Sequence, residues 1–191
     1  MSYITTYSGL HFDPTEPDKE LIDIKDIAHA LSLLCRANGH FRQFYSVAQH
    51  STACAREAAF RGLSDRVVMG CLLHDGSEAY LSDVTRPVKE GLPHYLETEA
   101  RLQDMIWEKY LLSPIKEEEK YQVFLIDDQM LSLEFHSLMP EDIDEEYLEI
   151  KTQPDFSFRL PDVAEREFLE LFTELYEKLI SSPPIPKETH L

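Results

Sequence analysis

The sequence predicts an all-α fold: a compact multi-helix bundle with at most short strands at its periphery. Three observations carry that expectation. Apolar residues recur three and four apart over long windows, as in Ile27, Leu31 and Leu34 or Phe168, Leu171, Phe172, Leu175 and Leu179, the spacing of a helix that buries one stripe. Glycine occurs only six times in 191 residues, while Leu, Glu and Ala, all good helix formers, are plentiful. Punctuation falls between the periodic windows: Ser46, Ser64 and Ser113 stand where an N-cap belongs, and Asn38–Gly39 and Gly62 where a helix ends.

Taken in order, residues 1–20 are aromatic and turn-rich and are expected to form a small hairpin or an ordered arm. A first helix is expected from Asp23–Asp26 to Asn38–Gly39, a second from Ser46 to Arg61, and a third from Asp65 to Asp75. Thr85-Arg86-Pro87 then interrupts regular structure, because proline cannot continue a helix and restrains the residue before it. Helices follow from Tyr95 to Leu111 and from Pro114 to Leu138, the latter with Ser113 as cap and proline in its first turn. Residues 139–161, rich in acids and prolines, are expected to be a surface excursion with brief strands. An amphipathic helix over 162–180 closes the fold, and SSPPIPKETHL is expected to be a disordered tail. With no internal repeat and no linker, residues 1–180 are expected to form one domain and 181–191 its tail.

Hydrophobic residues make up 43% and charged residues 28%, an ordinary globular balance. The net charge of −18 repels phosphate backbones and anionic lipid, which argues against a long nucleic acid or a membrane surface as partner. A small anion can still be held where a local cation or metal reverses the sign of one pocket. No run approaches the roughly 20 apolar residues of a membrane span, and the N-terminus lacks the basic flank and apolar core of a secretory signal. Cys35, Cys54 and Cys71 lie on apolar stretches without CxxC spacing. They read as buried reduced thiols in a cytoplasmic protein.

The stretch LLHDGSEAYLSD, residues 72–83, departs from this plain pattern. An apolar run ends in His74 and Asp75, with Glu78 and Asp83 close behind, and buried carboxylates need a compensating charge or metal. Glu78 lies three and four residues from Asp75 and His74, so a helix would gather all three on one side. His50 in VAQHS, and Asp127 and Asp128 in FLIDDQML, are likewise polar residues planted in apolar helical runs. A lone helical histidine is more often simply packed, an HD pair is common, and two adjacent acids usually mark a solvated edge. Three such features on successive helices, in the order H…HD…D, fit those readings poorly. Two imidazoles and two carboxylates form a mixed nitrogen and oxygen set that suits Mn²⁺, Co²⁺, Fe²⁺, Ni²⁺ or Mg²⁺ better than a closed structural zinc site.

In that order and spacing, CRANGH, YSVAQHS, LLHDGSEAYLSDVTRPVK and IDDQMLSLE, together covering residues 20–136, resemble the HD-domain metal-dependent phosphohydrolases. The nearer likeness is to the bacterial HD-type 5′-deoxynucleotidases and related small hydrolases often carried by phages. The resemblance implies an HD-domain bundle and one divalent ion held by His50, His74, Asp75 and either Asp127 or Asp128. The frame of an Asp, a Met-Leu pair and a Glu seven residues on selects Asp127, with Met130–Leu131 and Glu134. It implies that Glu78 and Asp83 flank the attacking water and that Arg36 binds phosphate, with His40, Arg42 and Lys89 as weaker candidates for that role. Phe41, Phe44 or Tyr45 is expected to wall the nucleoside, since Ala37 stands where relatives tend to carry an aromatic residue. The implied activity is hydrolysis of a small phosphate ester, foremost a deoxyribonucleoside 5′-monophosphate, by a protein that is often a homodimer; the alternatives are a nucleoside triphosphate or other phosphate ester as substrate, or a non-catalytic metal-bound regulatory domain. Ala79 breaks the HD-x-x-E-D pattern of guanosine tetraphosphate hydrolases.

Overall fold

The computed structural model describes residues 3–140 and 150–181. Two short strands, β1 (Ile4–Thr5) and β2 (His11–Phe12), pair antiparallel with Ile4 opposite Phe12. The rest of the regular structure is helical: α1 (Ile24–Leu33), α2 (Val47–Phe60), α3 (Asp65–Leu73), α4 (Glu78–Leu81), α5 (Arg86–Lys89), α6 (Pro93–Tyr110), α7 (Glu117–Leu138) and α8 (Pro161–Ser181). The all-α expectation and the N-terminal hairpin are both present, and no helix among the described residues is long and apolar enough to cross a membrane.

The centre of the bundle is α3. Every residue from Val67 to Leu73 is buried, and a helix apolar on all sides is stable only with neighbours all round it. Those neighbours are α2, α6, α7 and α8. Complete burial of Leu72 and Leu73 contributes about 1.5–3 kcal/mol each. Gly70 sets the approach of α7, since a Cβ there would lie 3.0 Å from Val123 Cγ2. Trp107 Nε1 donates to the Gly70 carbonyl at 3.2 Å and pins α6 to the same point. Ser46 opens α2 reciprocally: its hydroxyl accepts from Gln49 N (3.2 Å), and its own amide donates to Gln49 Oε1 (3.3 Å). Buried Glu57 on α2 fastens the segment after residue 150, accepting from Lys151 N (2.9 Å), Thr152 N (2.9 Å) and Thr152 Oγ1 (2.6 Å). Across α1, α2 and α3 lies α8, with Ala164, Phe168, Phe172 and Leu175 buried.

Several boundaries differ from those read in the sequence. The first helix stops at Leu33, because Cys35 pairs with Ser46 and the Arg36 amide donates to the Tyr45 carbonyl at 2.9 Å. Residues 36–39 form a separate tight turn in which Ala37 (φ 51°) and Asn38 (φ 50°) are left-handed. The third helix ends at Leu73, so His74 to Ser77 form a turn leading into α4, not a continuous helix. Pro87 does not interrupt structure but sits in the first turn of α5, where its missing amide hydrogen is no loss. The seventh helix starts at Glu117, three residues later than Pro114. The Ser113 hydroxyl, expected as its cap, instead accepts from Arg66 Nη1 (2.9 Å), and the Lys116 amide is satisfied by Glu119 Oε2 (2.9 Å). Residues 150–160 contain no strand. The remainder of the expected excursion at 141–149, and the tail from residue 182, lie outside the described residues.

Candidate metal centre

Three helices deliver the polar side chains to one point. From the second turn of α2, His50 points inward and is 0% exposed. His74 and Asp75 leave the C-terminal end of α3, and Asp127 lies midway along α7. His50 Nε2 is 3.2 Å from His74 Nε2 and 3.0 Å from Asp127 Oδ1, and His74 Nε2 is 3.4 Å from Asp127 Oδ1. Asp75 completes the group, with Oδ1 3.4 Å from His74 Nε2 and Oδ2 3.8 Å from His50 Nε2. Donors bound at about 2.1 Å to one ion stand about 3.0 Å apart at octahedral angles and about 3.4 Å apart at tetrahedral ones. The separations among His50 Nε2, His74 Nε2 and Asp127 Oδ1 match that range, with Asp75 beside them.

Hydrogen bonds on the far side of each ring fix which nitrogen faces inward. His74 Nδ1–H donates to the Cys71 carbonyl at 2.7 Å, and His50 Nδ1–H donates to Glu134 Oε1 at 2.7 Å. Both Nε2 atoms therefore face each other across 3.2 Å, a pairing that calls for a proton or a cation between them. Burial disfavours the charged ring of His50, and Arg36 adds to this, yet Cys54, Glu134 and Asp127 hold its pKa well above the ordinary value. His74 is raised despite burial by Asp75 and Asp127. Burial alone would lift Asp127, but the two imidazoles pull it well below the carboxylate range.

Cys54, which the sequence pattern did not single out for the site, forms with His50 and His74 a buried group that could hold a metal ion, their ligand atoms lying within 4.8 Å of one another. Its Sγ is 3.6 Å from His50 Nε2 and 4.0 Å from Nδ1, so it lies beside the ring and not along the Nε2 lone pair. Burial pushes its thiol up to about 11.

Beside the four donors open two clefts of about 240 and 450 Å³, which share Asp75, Glu78, Arg86, Lys89 and Asp127 in their walls. Glu78 is buried and its Oε2 has no hydrogen-bond partner. Burial, then the charges of Asp75 and Asp83, hold its carboxyl well above the usual range, against the pull of Lys89. Asp83 lines the smaller cleft and is raised chiefly by burial. Lys89 Nζ donates to Glu78 Oε1 (3.4 Å) and to Glu99. Arg36 lines the smaller cleft with Nη1 on Asp75 Oδ2 (3.2 Å) and Nη2 3.5 Å from Glu134 Oε2.

Not every expected residue arrives. His40 is exposed beyond the 36–39 turn and is in neither cleft wall. Asp128 turns outward to Arg86 Nη2 (2.8 Å), which leaves Asp127 as the inward acid. Phe41 and Tyr45 are buried in a side cluster with Leu138, and Phe44 packs on Phe158. The apolar wall of the smaller cleft comes instead from Val84, Leu131 and Phe135. A separate pocket of about 210 Å³, between α2 and residues 152–159, includes none of the four donors.

No protein-family model matches the chain. It is 42% identical over 119 residues to the uncharacterized protein YfdR of Escherichia coli (strain K12), a stretch covering 60% of this chain and 62% of that protein. It is 37% identical over 100 residues to an uncharacterized protein of Rhodobacter capsulatus, covering 50% of this chain and 51% of the relative. The chain thus spans between half and two thirds of the length of the relatives it matches.

Proposed function

We propose that this chain is a divalent-metal-dependent phosphohydrolase of the HD-domain type, cleaving nucleoside 5′-monophosphates, deoxyribonucleotides foremost, to nucleoside and phosphate. One observation carries the reading: His50, His74 and Asp127 bring three donor atoms within 3.0–3.4 Å of one another, and Asp127 and neighbouring Asp75 line a cleft that also holds two spare acids and three cations. The mixed donor set favours Mn²⁺, Co²⁺, Fe²⁺, Ni²⁺ or Mg²⁺. When bound, such an ion supplies Lewis-acid polarisation of a phosphoryl oxygen and a more acidic water.

The remaining work belongs to the side chains. Arg36 spends part of its five-donor fork on Asp75 and Glu134 and presents the rest to the cleft, where it holds the phosphate oxygens. Lys89, on the shared wall, adds a second positive charge against the dianion. Asp83, at the edge of the smaller cleft, orients the attacking water and takes its proton. Glu78 Oε2, buried and without a partner, holds a proton for the departing ribose oxygen. Val84, Leu131 and Phe135 give the nucleoside an apolar wall. The test is release of free phosphate from a panel of nucleoside monophosphates with Mn²⁺ or Co²⁺. Silence across the panel, with metal shown to be bound, rejects the proposal.

A further inference from the structure

Behind His50, on the side away from the four donors, sits a carboxylate that hydrolysis does not call for. Glu134 is 0% exposed on the inner face of α7, between Met130 and Leu138, where an apolar residue would pack at no electrostatic cost. A buried acid costs desolvation energy unless its charge is partnered. Its Oε1 accepts from His50 Nδ1–H at 2.7 Å, across 84 residues of sequence. Its Oε2 makes no ordinary hydrogen bond but lies 3.5 Å from Arg36 Nη2. The same guanidinium donates through Nη1 to Asp75 Oδ2 at 3.2 Å, so Arg36 is strung between an ion-facing acid and the acid that holds an ion-facing imidazole. It directly precedes the left-handed pair Ala37–Asn38.

We infer that Glu134 is a positioning residue: by accepting from His50 with one oxygen and facing the Arg36 guanidinium at 3.5 Å with the other, it aligns the metal-binding and phosphate-binding halves of the site. The inference rests on the metal-centre reading above. A carboxylate behind a ligand imidazole fixes its tautomer and strengthens its inward lone pair, and losing one typically weakens metal affinity 10–100-fold. Glutamine keeps the shape and an acceptor for Nδ1–H but loses the charge that both partners need.

The experiment is Mn²⁺ titration of the full chain and its Glu134→Gln variant, followed by orthophosphate titration of each Mn²⁺-loaded protein. The variant is expected to bind Mn²⁺ about tenfold more weakly or worse, and then to bind orthophosphate more weakly at saturating Mn²⁺. A folded variant with both affinities within twofold of the parent overturns the inference and leaves the metal centre standing. A parent that binds no Mn²⁺ overturns both. Nitrogen-15 histidine NMR of the metal-free parent is the second measurement, independent of any variant. His50 is expected to show a downfield, exchange-protected Nδ1–H, and an unprotonated Nδ1 overturns the assignment.

Discussion

Asp127 and Asp128 are neighbours with opposite surroundings, and exchanging each for asparagine tests the centre directly. Asp127 Oδ1 stands within 3.0 and 3.4 Å of the two inward imidazole nitrogens. The Asp128 side chain is 51% exposed and paired with the 66% exposed Arg86, a surface contact that contributes at most about 1 kcal/mol. An ion that binds only the folded state adds RT ln(1 + [L]/Kd), about 2.7 kcal/mol at 100 times Kd. For a chain of this size each kcal/mol moves the Tm by about 2–4 °C. Saturating Mn²⁺ is therefore expected to raise the parent's melting temperature by about 5–11 °C. Asp128→Asn keeps that increment, whereas Asp127→Asn loses most of it, each measured against its own metal-free melt. Differential scanning fluorimetry over a Mn²⁺ series reads the outcome. An undiminished rise in Asp127→Asn, or a rise lost in Asp128→Asn, refutes the ligand geometry.

Three further outcomes are expected. Glu78→Gln retains Mn²⁺ binding and slows phosphate release by about 10²–10⁴-fold; turnover at the parental rate would remove Glu78 from the chemistry. Glu57→Gln breaks charge-assisted bonds to Lys151, Thr152 and Arg61 and costs about 1.5–3 kcal/mol in urea unfolding at neutral pH. Burial raises the Glu57 pKa, but the hydrogen bonds led by Thr152 outweigh it, so the folded value lies below the ordinary 4.5. The stabilisation is thus complete above the unfolded value and fades as pH falls through the folded one; a parent–variant gap that persists undiminished in strong acid contradicts this. Gly70→Ala sets a Cβ 3.0 Å from Val123 Cγ2 and lowers the Tm, because overpacking of about 1–3 kcal/mol exceeds the helix-propensity gain of about 1. A variant melting above the parent sinks that account.

What was legible in the sequence was local. Ser46 and Ser64 mark the starts of α2 and α3 because each cap is satisfied by an amide three residues on. The unbroken apolar run over Val67–Leu73 marks α3 as the buried centre. The errors are long-range. Ser113 has the chemistry of a cap, but Arg66, 47 residues away, takes its hydroxyl. The first helix has the periodicity to reach Asn38, but pairing of Cys35 with Ser46 pulls the backbone out of it. His50, His74, Asp75 and Asp127 could be picked out because each is polar in an apolar setting, whereas His40 had only its nearness to Arg36 to recommend it.

Glu134 shows where local reading runs out, and α7 shows why. Asp127 and Glu134 are seven residues apart, two turns on one helical face, and that face meets α2. One histidine on α2 receives both: Asp127 Oδ1 at Nε2 (3.0 Å) and Glu134 Oε1 at Nδ1 (2.7 Å). Placing two acids on the inward face blurs the apolar stripe that would otherwise define it, while Tyr121, Phe124 and Leu125 are exposed on the outside. By the ordinary rule of helix patterning α7 is therefore a poor helix face, and such violations gather where a chain holds its chemistry. The seven-residue spacing selects Asp127 through the family resemblance, but what Glu134 touches is hidden until the imidazole facing it is known, and that imidazole comes from a helix more than seventy residues earlier.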